Sequence, residues 1–223
     1  MSDNVWDWAF AWKILPRILD AAIITIEATL IGFVFAAVLG LLLALGRRSR
    51  NPLLSYPIAG VVEFIRSTPL LVQIYFLYFV LPEFGVVLPA LVAGILGLGL
   101  HFSTYCSEVY RAGLDSIPRG QWEASVALNL STYRTYRDII VPQAIPPVVP
   151  ALGNYLVAMF KETPLLSAIA VVEMMQEAKI VGSETFRYVE PMTLVGAIFL
   201  VLSLVSMVGI RRVEAWLRRK IMG

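Results

Sequence analysis

The stretch that decides the fold runs from Ala21 to Gly46 and reads AAIITIEATLIGFVFAAVLGLLLALG. Glu27 is its one ionisable residue. About 20 apolar residues are enough for a helix to cross the hydrocarbon core of a bilayer, so this stretch is long enough to span a membrane. It is followed at once by three basic residues, Arg47, Arg48 and Arg50. Because basic residues gather on the cytoplasmic side of a span, we expect the N-terminus outside.

The rest of the chain has the composition of a membrane protein. Hydrophobic residues make up 58% of its 223 residues and charged residues 15%, and the mean hydropathy is +0.76. These values lie far from those of a water-soluble domain. The net charge of +2 is too small to indicate a nucleic-acid partner. With a single cysteine and no ligand spacing, we predict no disulfide, no metal site and no catalytic residue.

Four further apolar segments follow the first, which gives five predicted transmembrane helices. The spans lie at about 21–46, 56–81, 89–110, 142–160 and 192–210. A polar loop over 111–141 separates spans 3 and 4, and arginines follow the last span. These basic residues favour a cytoplasmic loop and a cytoplasmic C-terminus. The predicted fold class is an all-α polytopic membrane protein with one domain over residues 1–223.

Two of the spans carry residues that are unusual in a bilayer. In the second span, Glu63 and Arg66 lie three residues apart, so they share a helix face and could pair. Pro69 in the same span is expected to bend or interrupt the helix. The fourth span opens with four prolines, Pro142, Pro146, Pro147 and Pro150. We predict that it is broken or irregular there, and broken helices at membrane depth usually line a cavity.

The polar loop between spans 3 and 4 carries start signals for two short helices. Ser116 can cap a helix whose first position is Pro118, and Ser131 offers a second start. The stretch from Asn129 to Ser131 is therefore predicted to be a turn. Ala124 and Ala127 would give the first helix a patch of small side chains. Trp122 and Leu128 would add apolar anchors on the sides of this patch. Such a helix suits docking into a groove of a partner.

This loop resembles the coupling loop of bacterial ATP-binding-cassette importer permeases. The family pattern is Glu-Ala-Ala, three residues, Gly, nine residues, Ile, one residue and Leu-Pro. The chain matches it at Glu123, Ala124, Ile139 and Pro142, and departs from it at Ser125, Asn129 and Val141. Asn tolerates the left-handed backbone that a turn Gly adopts. The resemblance assigns ATPase coupling to Gly120, Glu123, Ala124, Ser125, Ala127, Asn129, Ile139 and Pro142.

The resemblance extends from about Ile24 to Arg212 and narrows to the polar amino-acid branch of these importers. Segment 63–73, EFIRSTPLLVQ, is similar to the second-span motif of that branch, and segment 105–121 to its approach to the coupling helix. Segment 160–165 resembles the fourth-span motif, with Glu162 and Pro164 where Asn and Ser are usual. Taken as a whole, the sequence most resembles permeases for ectoine and hydroxyectoine. The implied translocation path comprises Glu63, Arg66, Thr68, Pro69, Gln73, Glu108, Lys161, Glu162 and Thr163.

The resemblance also implies a division of labour in the bacterial inner membrane. An extracytoplasmic solute-binding protein would deliver an amino acid or amino-acid-like solute, and two permease subunits, identical or homologous, would form the path. Two ATPase subunits would hold the coupling helices. The chain has no Gly-x-x-x-x-Gly-Lys-Ser/Thr phosphate loop. We therefore expect no cofactor on this chain, and ATP and Mg²⁺ on the partner ATPase.

Two other functions are compatible with charged, proline-containing spans. One is a secondary transporter or channel, although the chain shows no inverted repeat. The other is a membrane scaffold without transport, which would have little need of Glu63 and Arg66 inside a span.

Several of the polar residues also have a purely structural interpretation. Glu63 and Arg66 are either a structural ion pair or part of the path. Lys161 and Glu162 are either solvated interface residues or contacts for a zwitterionic solute. His101 and Cys106 are expected to be packing residues, since neither has a companion ligand or nucleophile.

Overall fold

The computed structural model describes residues 6–222, and all regular structure in that range is helical. The α-helices are α1 Trp8–Arg47, α2 Pro52–Ser67, α3 Leu70–Tyr75, α4 Ala90–Asp115, α5 Arg119–Ala127, α6 Thr132–Arg134, α7 Val141–Glu162, α8 Met174–Thr185 and α9 Val189–Met222. Two π-helical segments, Phe76–Val80 and Thr135–Ile140, and two 3₁₀ segments, Leu81–Phe84 and Thr163–Ile169, continue these helices. The predicted single domain over 1–223 stays a prediction, and it includes residues 1–5 and 223 outside the described range.

Four helices of the described chain are long and apolar enough to cross a membrane, and a bent pair makes up to five. The four are Trp8–Arg47, Ala90–Asp115, Thr132–Ile169 and Val189–Leu217, and the bent pair is Pro52–Ser67 with Leu70–Phe84. The predicted all-α membrane fold is confirmed. The first span begins earlier than predicted, because the carboxylate of Asp7 accepts hydrogen bonds from the backbone N–H groups of Ala9 and Phe10 and caps α1 there.

The packing of α1 against α4 is the most extensive helix contact of the described chain. Small residues bring the two backbones together: a Cβ atom added to Gly40 would lie 2.6 Å from the Cβ of Cys106. Cys106 is fully buried at this contact. In a bilayer the hydrophobic effect does not drive helices together. Membrane helices therefore associate through van der Waals packing, which small residues increase by letting the backbones approach closely.

The break in the second span lies at Thr68 and Pro69, where the axis turns by 104°. Pro69 disfavours helical backbone at the residue before it, and Thr68 is extended with φ −100° and ψ 134°. The side-chain amide nitrogen of Gln73 lies 2.7 Å from the carbonyl oxygen of Ile65 and 2.9 Å from that of Thr68. The amide adds to the backbone N–H of Thr68, which donates to the carbonyl oxygen of Ile65 at 3.2 Å, so the break at membrane depth is satisfied internally.

The predicted break at the start of the fourth span is wrong. α7 is continuous from Val141 to Glu162 and contains Pro146, Pro147 and Pro150. Pro142 falls in its first turn, where a missing backbone N–H costs little. The irregular backbone comes earlier, in the π-helical segment Thr135–Ile140, and packing against α4 and α9 keeps the proline-containing turns helical.

The two ends of the helix bundle differ in their polar contacts. At the α5 end, where α1 and α4 finish, Arg48 pairs with Asp115. At the α8 end, Nε of Arg17 on α1 lies 2.7 Å from Oε1 of Glu177, and its Nη1 lies 2.8 Å from Oε2 of Glu184. These ion pairs fasten α8 to the first part of α1. The segment between the last two predicted spans thus contains an ordered helix, α8, that is held against α1.

Glu173 caps α8 from a fully buried position. Its Oε1 accepts a hydrogen bond of 2.8 Å from the backbone N–H of Gln176, and its Oε2 has no hydrogen-bond partner in the described structure. Removal from water disfavours the charged carboxylate, so burial raises the pKa of Glu173 to about 7. A carboxyl group that titrates near neutral pH therefore holds the start of α8.

Candidate functional site

The predicted coupling helix is α5, and it exposes the side chains expected to meet a partner. Glu123, Ala124 and Ala127 are exposed, and so are Val126 at 78% and Leu128 at 70%. Large apolar side chains with that exposure at the end of a polar loop mark an interaction surface. The patch predicted from the small residues is therefore present, and it is more apolar than predicted.

The turn after α5 has the backbone that the sequence predicts. Asn129 lies in the left-handed region with φ 53°, and its backbone N–H donates to the carbonyl oxygen of Val126. The backbone N–H of Leu130 donates to the carbonyl oxygen of Ser125, which satisfies another carbonyl at the helix end. Asn129 thus takes the place of a turn Gly.

The opposite face of α5 packs on the beginning of the fourth span. The rings of Trp122 and Tyr136 meet edge to face with centroids 5.4 Å apart, and Ile139 packs in the same apolar cluster. Trp122 is half-buried in this contact, so part of its ring packs within the chain, and its role as an anchor for a partner stays a prediction. The Oγ of Ser125, also buried, donates to the carbonyl oxygen of Gln121 at 2.7 Å. α5 is therefore in direct contact with the start of the fourth span.

Gly120 and Pro142, the remaining predicted coupling residues, lie at the edges of this contact. Gly120 is exposed, and a Cβ atom added to it would meet no heavy atom within 4 Å. Pro142 is half-buried in the first turn of α7. Next to it, the side-chain amide of Gln143 donates to the carbonyl oxygen of Ile139 at 2.8 Å.

A cluster of charges joins the ends of α1 and α2 to α4. Oε1 of Glu108 lies 2.6 Å from Nη1 of Arg47 and 3.5 Å from Nη1 of Arg66, and its Oε2 lies 3.4 Å from Nη1 of Arg111. Nη2 of Arg66 lies 2.9 Å from Oε2 of Glu63, so the predicted pairing is confirmed. Three arginines and two glutamates leave one net positive charge. The role of Arg47 was missed because a basic residue after a span is first a topology signal.

Gln73 also connects the break in the second span to α4. Besides its two carbonyl partners, its amide nitrogen lies 3.1 Å from Nδ1 of His101. The ring of His101 lies beside that of Tyr105, with centroids 5.3 Å apart. His101, expected to be a simple packing residue, is therefore a polar contact of the broken span. Thr68 is held locally, since its hydroxyl donates to the carbonyl oxygen of Phe64 at 2.8 Å.

A cavity of about 410 Å³ opens beside the break. It lies between Pro69, the aromatic rings of Tyr105 and Tyr155, and Glu162 at the end of α7. The two tyrosine rings have centroids 5.5 Å apart. A cavity lined by aromatic faces and one carboxylate has the chemistry to hold a small organic cation or zwitterion. The tyrosines were not predicted, because nothing in the sequence shows that α4 and α7 face each other there.

The remaining predicted path residues lie away from that cavity. Lys161 lines a separate, mostly apolar cavity with Phe199 and Met207 of α9. Thr163 is buried, and its hydroxyl donates to the carbonyl oxygen of Phe160 at 2.8 Å. Among residues 6–222, no three His, Cys, Asp or Glu side chains are grouped so that they could hold a metal ion.

The family of the chain follows from its sequence. Residues 36–219 match the protein family described as "Binding-protein-dependent transport system inner membrane component". The chain belongs to this permease family. It is therefore an inner-membrane permease subunit, and the secondary-transporter and scaffold alternatives are excluded. Subunits of this family work with ATPase subunits, a second permease and a solute-binding protein, and are not themselves catalytic.

Relatives of the permease cover nearly its whole length. A "Probable amino-acid ABC transporter permease protein" of Sinorhizobium fredii is 46% identical over 95% of this chain and 92% of its own length. A "Probable amino-acid permease protein" of Bacillus subtilis is 34% identical over 91% of this chain and 92% of its own. A subunit in the crystal structure of an amino acid ABC transporter with histidines is 33% identical, with a TM-score of 0.90 over 94% of this chain and 98% of that one.

Proposed function

We propose that the permease forms half of an amino-acid import path and that the cavity beside Pro69 is part of that path. The similarity to proteins named as amino-acid permeases supports the solute class. The observation that carries the proposal is the position of Glu162, which lines the cavity together with the break in the second span. Glu162 is exposed at the end of α7, so its carboxylate is accessible to a solute in the cavity.

Recognition of an amino acid in this cavity would depend on its ammonium group. The carboxylate of Glu162 supplies the opposite charge, and the faces of Tyr105 and Tyr155 supply cation–π contacts. A cyclic amino-acid derivative such as ectoine also carries a delocalised cation and a carboxylate, so it meets the same groups. Ectoine or hydroxyectoine as the solute stays a prediction.

The proposed coupling step begins at α5, with the α5 end of the bundle in the cytoplasm. Partner ATPase subunits, which would bind ATP and Mg²⁺, contact the face of Glu123, Val126 and Leu128. Movement of α5 passes to the fourth span through the contact of Trp122 with Tyr136. Because the fourth span ends beside the cavity at Glu162, the same displacement would change access to the solute.

The proposed solute cavity can be tested with two neighbouring residues, because Glu162 lines this cavity and Lys161 lines a different one. In proteoliposomes containing the complete transporter, Glu162→Gln is expected to lower solute uptake about tenfold, as expected for loss of one charge-assisted hydrogen bond. Lys161→Gln is the matched control, since Lys161 lines the other cavity, and it should retain most of the uptake. Equal uptake by the Glu162 variant and the unmodified transporter would refute the assignment of this cavity.

The coupling surface is tested by charge reversal on α5. Glu123→Arg should leave the transporter assembled in the membrane but separate ATP hydrolysis from solute uptake, and replacement of residues 123–129 by a Gly-Ser linker should release the ATPase on purification. Glu83→Arg, an exposed carboxylate in the 3₁₀ segment before α4, is the control. If the linker variant retains its ATPase, α5 is not the docking element.

A further inference from the structure

An apolar groove of about 420 Å³ runs between α7 and α9 against α1. Phe33 of α1 and Gly153 of α7 line it opposite Ile210 of α9, and it extends along α9 from Ser206 to Val213. At 1.5 Å per residue this length is roughly 10 Å. Apart from the hydroxyl of Ser206, all of its lining side chains are apolar. A groove of this shape at membrane depth suits a hydrocarbon chain.

The groove is open where α9 has a glycine. A Cβ atom added to Gly209 would meet no heavy atom within 4 Å, although Gly209 lines the groove. Val205, Val208 and Val213 on the same helix are exposed as well. No segment of the described chain covers this part of α9. In the membrane, apolar atoms from another molecule must fill the space.

The mouth of the groove at the α5 end is positively charged. Arg211 and Arg212 follow Ile210 directly, both are exposed, and neither has an ion-pair partner among the side chains that the structure describes. Glu214 is the nearby carboxylate, and it is half-buried. Trp216 lies two turns beyond Gly209 on the same helix face and is 53% exposed. Tryptophan and arginine together mark the level of the lipid headgroups.

We propose that this groove is a binding site for an anionic phospholipid of the leaflet at the α5 end. One acyl chain lies along Gly209 of α9 and Leu152 and Leu156 of α7, and the phosphate contacts Arg211 and Arg212. Charge complementarity selects this occupant over a second permease chain, since two copies of this face would bring their arginines together. The bound chain would pack on α7, the helix that also carries Tyr155 and Glu162.

The site is tested by the lipid that the complete transporter retains after purification from native membranes, measured by native mass spectrometry with added phosphatidylglycerol or phosphatidylcholine. Arg211→Gln with Arg212→Gln should weaken phosphatidylglycerol binding about thirtyfold, as expected for the loss of two basic contacts. Gly209→Leu should lower it similarly by filling the groove. Gly196→Leu is the matched control, because Gly196 on α9 also has open space around its Cα but does not line the groove.

The outcomes separate lipid from other occupants. Selective loss of phosphatidylglycerol in the arginine and Gly209 variants, with retention in the Gly196 variant, supports the site. Equal retention of phosphatidylglycerol in all variants overturns it, and so does equal binding of phosphatidylcholine and phosphatidylglycerol. If Gly209→Leu separates the two permease subunits without changing lipid retention, the groove is a protein interface and the proposal is wrong.

Discussion

The second and fourth spans both contain proline, yet one proline breaks the second span and four prolines leave the fourth span continuous. At Pro69 the axis turns by 104°, and the amide of Gln73 donates to the carbonyl oxygens of Ile65 and Thr68. In α7 the prolines lie in the first turns, where packing on α4 and α9 holds the helix. The number of prolines therefore does not decide whether a span breaks, and the break at Pro69 is accompanied by side-chain donors to the carbonyl groups beside it.

The largest expected effect comes from removing the amide at the break. Gln73→Leu removes the side-chain donor to the carbonyl oxygen of Thr68 and one of the two donors to that of Ile65, which keeps the backbone N–H of Thr68, and each unmade bond costs about 1–3 kcal/mol. We expect a loss of roughly 4 kcal/mol in the free energy of unfolding, measured by denaturation in detergent, and nearly complete loss of uptake.

The matched control makes the same change in the fourth span. Gln143→Leu removes a hydrogen bond to the carbonyl oxygen of Ile139 and a longer, exposed one to Oε1 of Gln121, from a helix that is continuous without them. A loss of about 1 kcal/mol is expected. If Gln73→Leu and Gln143→Leu are equally destabilising, the side-chain explanation of the break is wrong.

The next prediction concerns Glu173, whose titratable carboxyl group caps α8. Because burial raises the pKa of Glu173 from 4.5 to about 7, the folded protein binds a proton more tightly than the unfolded chain. The resulting stability is fully present below about pH 4.5 and is lost as the pH rises through 7, by up to about 3 kcal/mol. Melting temperatures between pH 5 and 8 should therefore fall.

Glu173→Gln should flatten this pH profile, and at pH 8 the variant should be more stable than the unmodified protein. Asp20→Asn, a change at an exposed carboxylate on α1, is the control and should keep the profile. A profile that stays steep in the Gln variant would show that another group titrates.

A smaller effect is expected from a proline of the continuous span. Pro147 is exposed inside α7, and Pro147→Ala restores a backbone N–H and a strong helix former. Because packing already holds this turn helical, we expect a gain of only about 1 kcal/mol, with uptake unchanged. Reduced uptake with unchanged stability would show that the proline itself is needed for transport.

The smallest effect concerns a turn that needs no side-chain donor. Asn129 has φ 53°, which Gly adopts without strain. Asn129→Gly should change the unfolding free energy by less than about 0.5 kcal/mol and preserve ATPase association. Asn129→Val, with a branched side chain that disfavours this backbone, should cost about 1–2 kcal/mol. Equal stability of the two variants would contradict the assigned conformation.

Much of the architecture can be predicted from local sequence. The apolar run from Ala21 to Gly46 predicts a span, and the start signals at Ser116, Pro118 and Ser131 predict α5 and the turn at Asn129, whereas the coupling role rests on the resemblance. Both features depend on residues close together in the chain. The early start of α1 was not predicted, because Asp7 caps the helix well before the apolar run begins.

The candidate cavity was only partly predictable. Pro69 and Glu162 come from motifs, whereas Tyr105 and Tyr155 contribute through the packing of α4 on α7, which local sequence does not specify. Arg47 and Glu108 form an ion pair across 61 positions of the chain. The straight fourth span was missed for a related reason, since helix propensity alone does not include the packing that overrides it.

Burial of Cys106 between α1 and α4 has a practical consequence for spectroscopy. It is the only cysteine in the sequence, it is fully buried, and a glycine of the neighbouring helix lies against it. Thiol reagents added to the folded transporter should therefore label cysteines introduced at Val126 or Gly209 and leave the native thiol unmodified. Spin labels and fluorophores can then be placed without first replacing a residue that holds two helices together.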